Sequence, residues 1–220
     1  MSVILGTDGN NILNGTDADD SIIARGGSDT IHAKAGNDLI SVEADPSGAD
    51  YVDGGNGIDT VVLEVGYSGT AVSYNAALAE FTFDSGGGNA LSVTNIEQIG
   101  FTDQVILIVG AGGFATIQDA VDAAPDEALI LVADGTYIEQ VQIAGKNGLT
   151  IEALAGSNVT IQAPVDLVQT SFSASGKANN AVIDVVGSTS VVLRNITVDG
   201  AGVGNSADTG PSARRPTLLA

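Results

Sequence analysis

An all-β fold is predicted for this chain of 220 residues from three observations. Gly, Val, Ile and Thr are abundant and aromatic residues few, the composition of short strands joined by tight turns. A nine-residue period occupies the first part of the chain, with an acidic and an aliphatic residue at fixed places in it. Strand-like apolar runs fill the second half and recur about twenty residues apart, a spacing that marks stacked structural repeats.

Residues 6–62 divide into nines as GTDGNNILN, GTDADDSII, ARGGSDTIH and AKAGNDLIS, then an insertion VEA, then DPSGADYVD and GGNGIDTVV. Position six holds Asn11, Asp20, Asp29, Asp38, Asp50 and Asp59, and position eight holds Leu13, Ile22, Ile31, Ile40, Val52 and Val61. Position four is Gly9, Ala18, Gly27, Gly36, Gly48 and Gly57, which predicts a turn with positive φ at that place. Each unit reads as a six-residue turn followed by a three-residue strand. Its single inward aliphatic cannot be buried by one copy, so the copies must stack. With two units per coil, Asp20, Asp38 and Asp59 fall in one column, and Asn11, Asp29 and Asp50 in a second. Asp8, Asp17 and Asp19 occupy other turn positions and are expected either to support the position-six residues from behind or to face solvent, and His32 at position nine is expected at the surface.

An isolated aspartate in a turn is an ordinary solvated residue, but a column of them one strand spacing apart, about 4.8 Å, repels itself unless a cation intervenes. Hard oxygen ligands without Cys or a paired His favour Ca²⁺, which accepts six to eight of them in irregular geometry. The pattern resembles the RTX, or hemolysin-type, calcium-binding nonapeptide G-G-x-G-x-D-x-U-x. The resemblance implies a parallel β-roll over residues 1–62 that binds several calcium ions. Their expected ligands are Asn11, Asp20, Asp29, Asp38, Asp50 and Asp59, with the backbone of Gly9, Gly27, Gly36, Gly55 and Gly57. Ala24 and Ala33 at position one, Ala18 at position four and Asn11 at position six depart from the pattern.

From Leu63 to Val109 the period is lost, and AVSY and EFTF alternate like strands of a small sheet that caps the roll. TNIEQIGFTD within it looks like the segment that often follows RTX repeats. Next, Thr116 as N-cap, Asp119 three residues on, apolar Ile117, Ala120, Val121 and Ala124, and Pro125 as a stop predict a short helix. Strands are expected at ALILV, EQVQI, LTIEA, NVTIQA, AVIDVV and SVVLRNITVDG, with residues 129–132 corresponding to 149–152. A short helix ahead of such coils suits a right-handed parallel β-helix over residues 110–205, followed by an irregular tail at 206–220. TIQDAVDAAP and DGTYIEQVQI resemble the cap and first coils of pectin methylesterases and pectate lyase-like proteins. Those enzymes act through aspartates and an arginine, for which the nearest counterparts are Asp184, Arg194 and Asp199. Asn195 reads as a turn or stacking residue.

A net charge of −20, from 27 acidic and 7 basic residues, speaks against nucleic acid, which needs Lys and Arg to displace its counterions. There is no Cys, and no apolar run approaches the roughly 20 residues of a membrane span. MSVILGTDGN lacks the basic and apolar regions of a general secretory signal; the RTX resemblance implies type I secretion instead. The expected function is that of a secreted bacterial calcium-binding protein with a structural, adhesive or self-assembling role outside the cell. The alternative is part of a polysaccharide-modifying esterase, lyase or epimerase. Expected partners are calcium, acidic polysaccharide and further copies joined through open coil ends.

Overall fold

The computed structural model describes residues 1–43, 48–87, 89–154, 156–172, 176 and 178–202. The tail expected at 206–220 lies outside them. The described chain is built of strands, mostly in parallel sheets, with one α-helix among them.

The repeat region forms β1 (Ser2–Leu5), β2 (Ile12–Asn14), β3 (Asp20–Ile23), β4 (Thr30–His32), β5 (Leu39–Val42), β6 (Ala49–Asp53) and β7 (Thr60–Leu63). Odd strands join one sheet and even strands another. Every pair is parallel and in register: Ile4 lies opposite Ile22, Ile22 opposite Ile40, and Leu13 opposite Ile31. Beyond the insertion Ile40 meets Val61 and Ile31 meets Val52, so the insertion causes no register slip. All six position-eight residues are buried in one core. A one-residue slip would turn this whole row to solvent.

β8 (Ala71–Asn75), β9 (Glu80–Gly86) and β10 (Asn89–Thr94) form an antiparallel meander, and β10 then pairs in parallel with β6. β11 (Gln98–Gly100) pairs in parallel with β7. The segment after the repeats therefore extends both sheets, and its Phe81, Phe83 and Phe101 enter the same core. β12 (Val105–Val109) returns antiparallel to β11, so the strands that follow run opposite to those of the repeats.

The helix α1 (Ile117–Ala123) starts where the sequence predicts. Thr116 accepts the Asp119 amide, and Ile117, Ala120 and Val121 are buried. Behind it β13 (Leu129–Val132), β14 (Gly135–Ile138) and β15 (Val141–Ala144) enter three different sheets. β16 (Thr150–Ala153) pairs with β13 and β17 (Val159–Gln162) with β14. After the short hairpin of β18 (Ser171–Phe172) and β19 (Ala178–Asn179), β20 (Ile183–Val186) pairs with β15. β21 (Val192–Arg194) and β22 (Ile196–Asp199) continue onto β16 and β17. Each circuit visits three sheets in turn. The counterpart of Leu129 is Thr150, one residue beyond the expected Leu149. β14 was not expected, because none of its residues is fully buried and the apolar signal is weak.

One nine-stranded sheet runs through the molecule in the order β1, β3, β5, β7, β11, β12, β13, β16, β21. In β12, Ile106 and Ile108 face the core of the repeats, while Leu107 and Val109 belong to a second core with Ile130, Val132, Ile151 and α1. Burial on both faces explains why VILIV and LILV are unbroken apolar runs, where the repeat strands alternate.

Ile40 is fully buried, whereas its neighbour Leu39 is 45 % exposed. Ile40→Ala should cost about 2–5 kcal/mol in urea unfolding, and Leu39→Ala no more than about 0.5 kcal/mol; equal costs would refute the register.

Candidate metal centre

Two columns of side chains connect the turns. Amides at the start of β1 to β5 donate to a carboxylate one coil on. Ser2 N donates to Asp20 Oδ1 at 2.9 Å, Asp20 N to Asp38 Oδ1 at 2.7 Å, and Asp38 N to Asp59 Oδ1 at 2.8 Å. In the second column Asn11 N donates to Asp29 Oδ1 at 2.7 Å and Asp29 N to Asp50 Oδ1 at 2.8 Å. All five aspartates are buried to 5 % exposure or less. Each carboxylate thus satisfies an orphan amide with one oxygen, and the fate of the other oxygen divides the turns into two kinds.

In the first kind, Thr at position two closes the turn. Thr16 donates its amide (2.6 Å) and hydroxyl (2.8 Å) to Asp20 Oδ2. Thr7 N donates to Asn11 Oδ1 at 2.6 Å. Asp20 is held well below the usual carboxylate range, at about 2, chiefly by the Thr16 amide. In the second kind, position two is Arg25, Lys34 or Gly55, all with positive φ, as are Gly27, Gly36 and Gly57 at position four. The left-handed backbone expected at position four is confined to these three turns, and Gly9, Ala18 and Gly48 do not share it. Gly36 and Gly57 are also required sterically: a Cβ would lie 2.5 Å from the Ala18 carbonyl carbon and 2.0 Å from the Gly36 carbonyl oxygen. Here Asp29, Asp38 and Asp59 each bury an Oδ2 that has no hydrogen-bond donor. Desolvation raises the pKa of all three, that of Asp59 to about 6.

Three features were not foreseen. Glu97 adds a member to the first column, its Oε2 accepting Asp59 N at 2.7 Å. It is 5 % exposed, and burial pushes its pKa up to about 7. The only sequence signal was an acid set among the apolar residues of NIEQI. Position five carries a second ladder of opposite sense: Asn10 Oδ1 accepts Ser28 N, Asp19 Oδ1 accepts Asn37 N, and Asn37 Oδ1 accepts Ile58 N. Asp19 therefore clamps a neighbouring coil, although its turn is exposed. His32 has a partner, with Nδ1 3.8 Å from Asp53 Oδ2.

Buried carboxylate oxygens without donors, stacked beside turn carbonyls, fit a hard cation that takes oxygen ligands. Among the described residues no three acidic, His or Cys side chains converge on one point, so backbone oxygens would complete any coordination shell. Asp184, Arg194 and Asp199 stand in β20, β21 and β22, which lie in three different sheets. Arg194 instead pairs with Glu152 at 3.3 Å, beside an open pocket of about 260 Å³ that also borders Tyr67, Gln104 and Glu127. Asn195 makes the turn between β21 and β22 with φ +58°, and its Nδ2 donates to Ala153 O.

Asp59 and Glu97 bind protons more tightly in the folded chain than at their ordinary values of 3.8 and 4.5. Their favourable contribution is complete below those values and is lost as pH rises through about 6 and about 7. Asp20 acts in the opposite sense, stabilising above 3.8 and failing only as pH falls through about 2. In chelator, therefore, the thermal midpoint should fall between about pH 5 and pH 8. A midpoint that is flat or rising over that range would overturn this reading of the columns.

Comparison with known proteins agrees with the columns. Residues 5–40 and 47–61 match the family model of the RTX calcium-binding nonapeptide repeat, in four copies. No curated protein matches the chain. The N-terminal region thus carries RTX nonapeptide repeats, and the ion such repeats bind is Ca²⁺.

Proposed function

We propose that the chain is a secreted bacterial calcium-binding protein whose repeats, over residues 1–62, are a parallel β-roll that folds on binding Ca²⁺ and serves a structural or adhesive role outside the cell. The observation that carries this reading is the donor-less buried Oδ2 of Asp29, Asp38 and Asp59. These aspartates are the proposed calcium ligands, with Asp50 stacked on Asp29 and with the backbone of the turns that contain Gly27, Gly36, Gly55 and Gly57. Asn11 and Asp20, and the turn of Gly9, fall outside the set, because Thr7 and Thr16 already supply the donors that an ion would replace. The remaining units are a connecting β region at 63–109 and a right-handed parallel β-helix from 110 to 205, capped by α1.

Mechanistically, unneutralised acidic columns disfavour the compact state where calcium is scarce, and ion binding supplies folding free energy where it is abundant. A chain kept loose in this way suits export before folding. The three candidate residues of the enzyme alternative lie in separate sheets.

A calcium titration followed by circular dichroism and sedimentation velocity, with magnesium as control, tests the proposal. Calcium alone should compact the chain. Asp59→Asn should raise the calcium midpoint at least about tenfold, equivalent to ~1.4 kcal/mol. Asp20→Asn should lower stability in chelator yet leave the number of bound ions unchanged. A chain equally folded in chelator and indifferent to calcium would refute the proposal, and calcium-independent oligomers would point to self-assembly instead.

A further inference from the structure

The nonapeptide period ends at Val62, but the stack of turns continues for one more level. Ala33 N donates to Asp53 O at 2.9 Å, and Gly54 N likewise to Thr94 O at 3.1 Å. Asn95 therefore sits where position one of the next coil would fall. Asp59 Oδ1 accepts Asp38 N, and Glu97 Oε2 accepts Asp59 N, so Glu97 stands at position six. Asn95, Ile96 and Glu97 thus span with three residues what each repeat spans with six. The additional methylene of Glu over Asp supplies the reach that the shortened turn removes.

The shortening leaves room above the last nonapeptide turn. An open pocket of about 330 Å³ lies between residues 55–58, Glu97 and the loop 112–115. Next to Ile58 in the chain, fully buried Asp59 keeps an Oδ2 without a donor; a Cβ on Gly54 would touch both this oxygen and the Asn95 carbonyl oxygen, so the two lie close together. Two buried carboxylates adjoin here. The ion pairs among the described residues, His32 with Asp53 and Arg194 with Glu152, serve neither of them. Buried charges of one sign without a counter-charge are strongly unfavourable.

We propose that Glu97 and Asp59 form a further divalent-cation site that closes the first column, with Glu97 a calcium ligand supplied from outside the nonapeptides. The inference rests on the reading of the columns as calcium sites. It makes the segment after the repeats part of the metal-binding unit, so that the terminal ion fastens the roll to the chain that follows.

Calorimetric calcium titration at neutral pH tests it by counting ions in the full chain and in Glu97→Gln, which keeps an oxygen for the Asp59 amide but removes the charge. Exposed Ala115 on the pocket rim provides a second variant, Ala115→Lys, which brings an ammonium group to the site without altering Glu97. Each variant should bind one ion fewer than the unmodified chain while circular dichroism at saturating calcium stays unchanged. If Glu97→Gln fails to fold, Ala115→Lys decides. Full stoichiometry and unchanged affinity in the folded variants would overturn the Glu97 site. Asp29→Asn separates the two readings. Loss of an ion in that variant, with none lost in the other two, removes only the Glu97 site, whereas no calcium uptake by the unmodified chain removes both.

Discussion

The structure of the repeat region depends on one hydrogen bond used again and again: an amide that enters a strand donates to a carboxylate one coil away. Strand ladders satisfy the backbone within the sheets but leave the turns with unpaired amides. The position-six side chains meet that need, and in doing so they are drawn out of water into columns. The same bond that organises the turns creates their electrostatic problem, because a carboxylate with one oxygen committed still buries the other. Thr16 solves this locally with its own amide and hydroxyl. Where Arg25, Lys34 or Gly55 stands in place of threonine, the second oxygen is buried without a donor.

Features that recur at the same place in each unit were legible in the sequence. The buried row from Leu13 to Val61, the two carboxylate columns and the eighteen-residue coil all follow from a period of nine and the alternation of strands. Single events were not. Glu97 does in three residues what a repeat does in six, so no period could reveal it. The Thr latch at position two is ordinary turn chemistry when read alone, and it acquires meaning only beside the left-handed turns of Arg25 and Lys34. The clamp formed by Asn10, Asp19, Ser28 and Asn37 was hidden because its members are polar residues of a type that turns favour anyway. Among the coils of the second half, pairing is offset by one residue from the apparent apolar match, since Leu149 precedes the strand that pairs with β13.

Asp184, Arg194 and Asp199 show how distance along the chain differs from distance in the fold. They lie within sixteen positions of one another in the chain, which suggested a cluster. A chain that visits three sheets per circuit separates residues at that distance and brings together those a full circuit apart. Arg194 accordingly meets Glu152, on the neighbouring strand of the same sheet.

The hairpin between β11 and β12 has a topological consequence. It reverses the direction of the strands in the shared sheet, while the sheet order still advances along a single axis. At the same strands the enclosed core passes from one face of the sheet to the other. Winding sense depends on the product of strand direction, enclosed face and axial advance, so two of its three signs change together and cancel. The coils on either side of β12 must therefore have the same handedness, although they run antiparallel. A change of direction alone would have joined two solenoids of opposite hand.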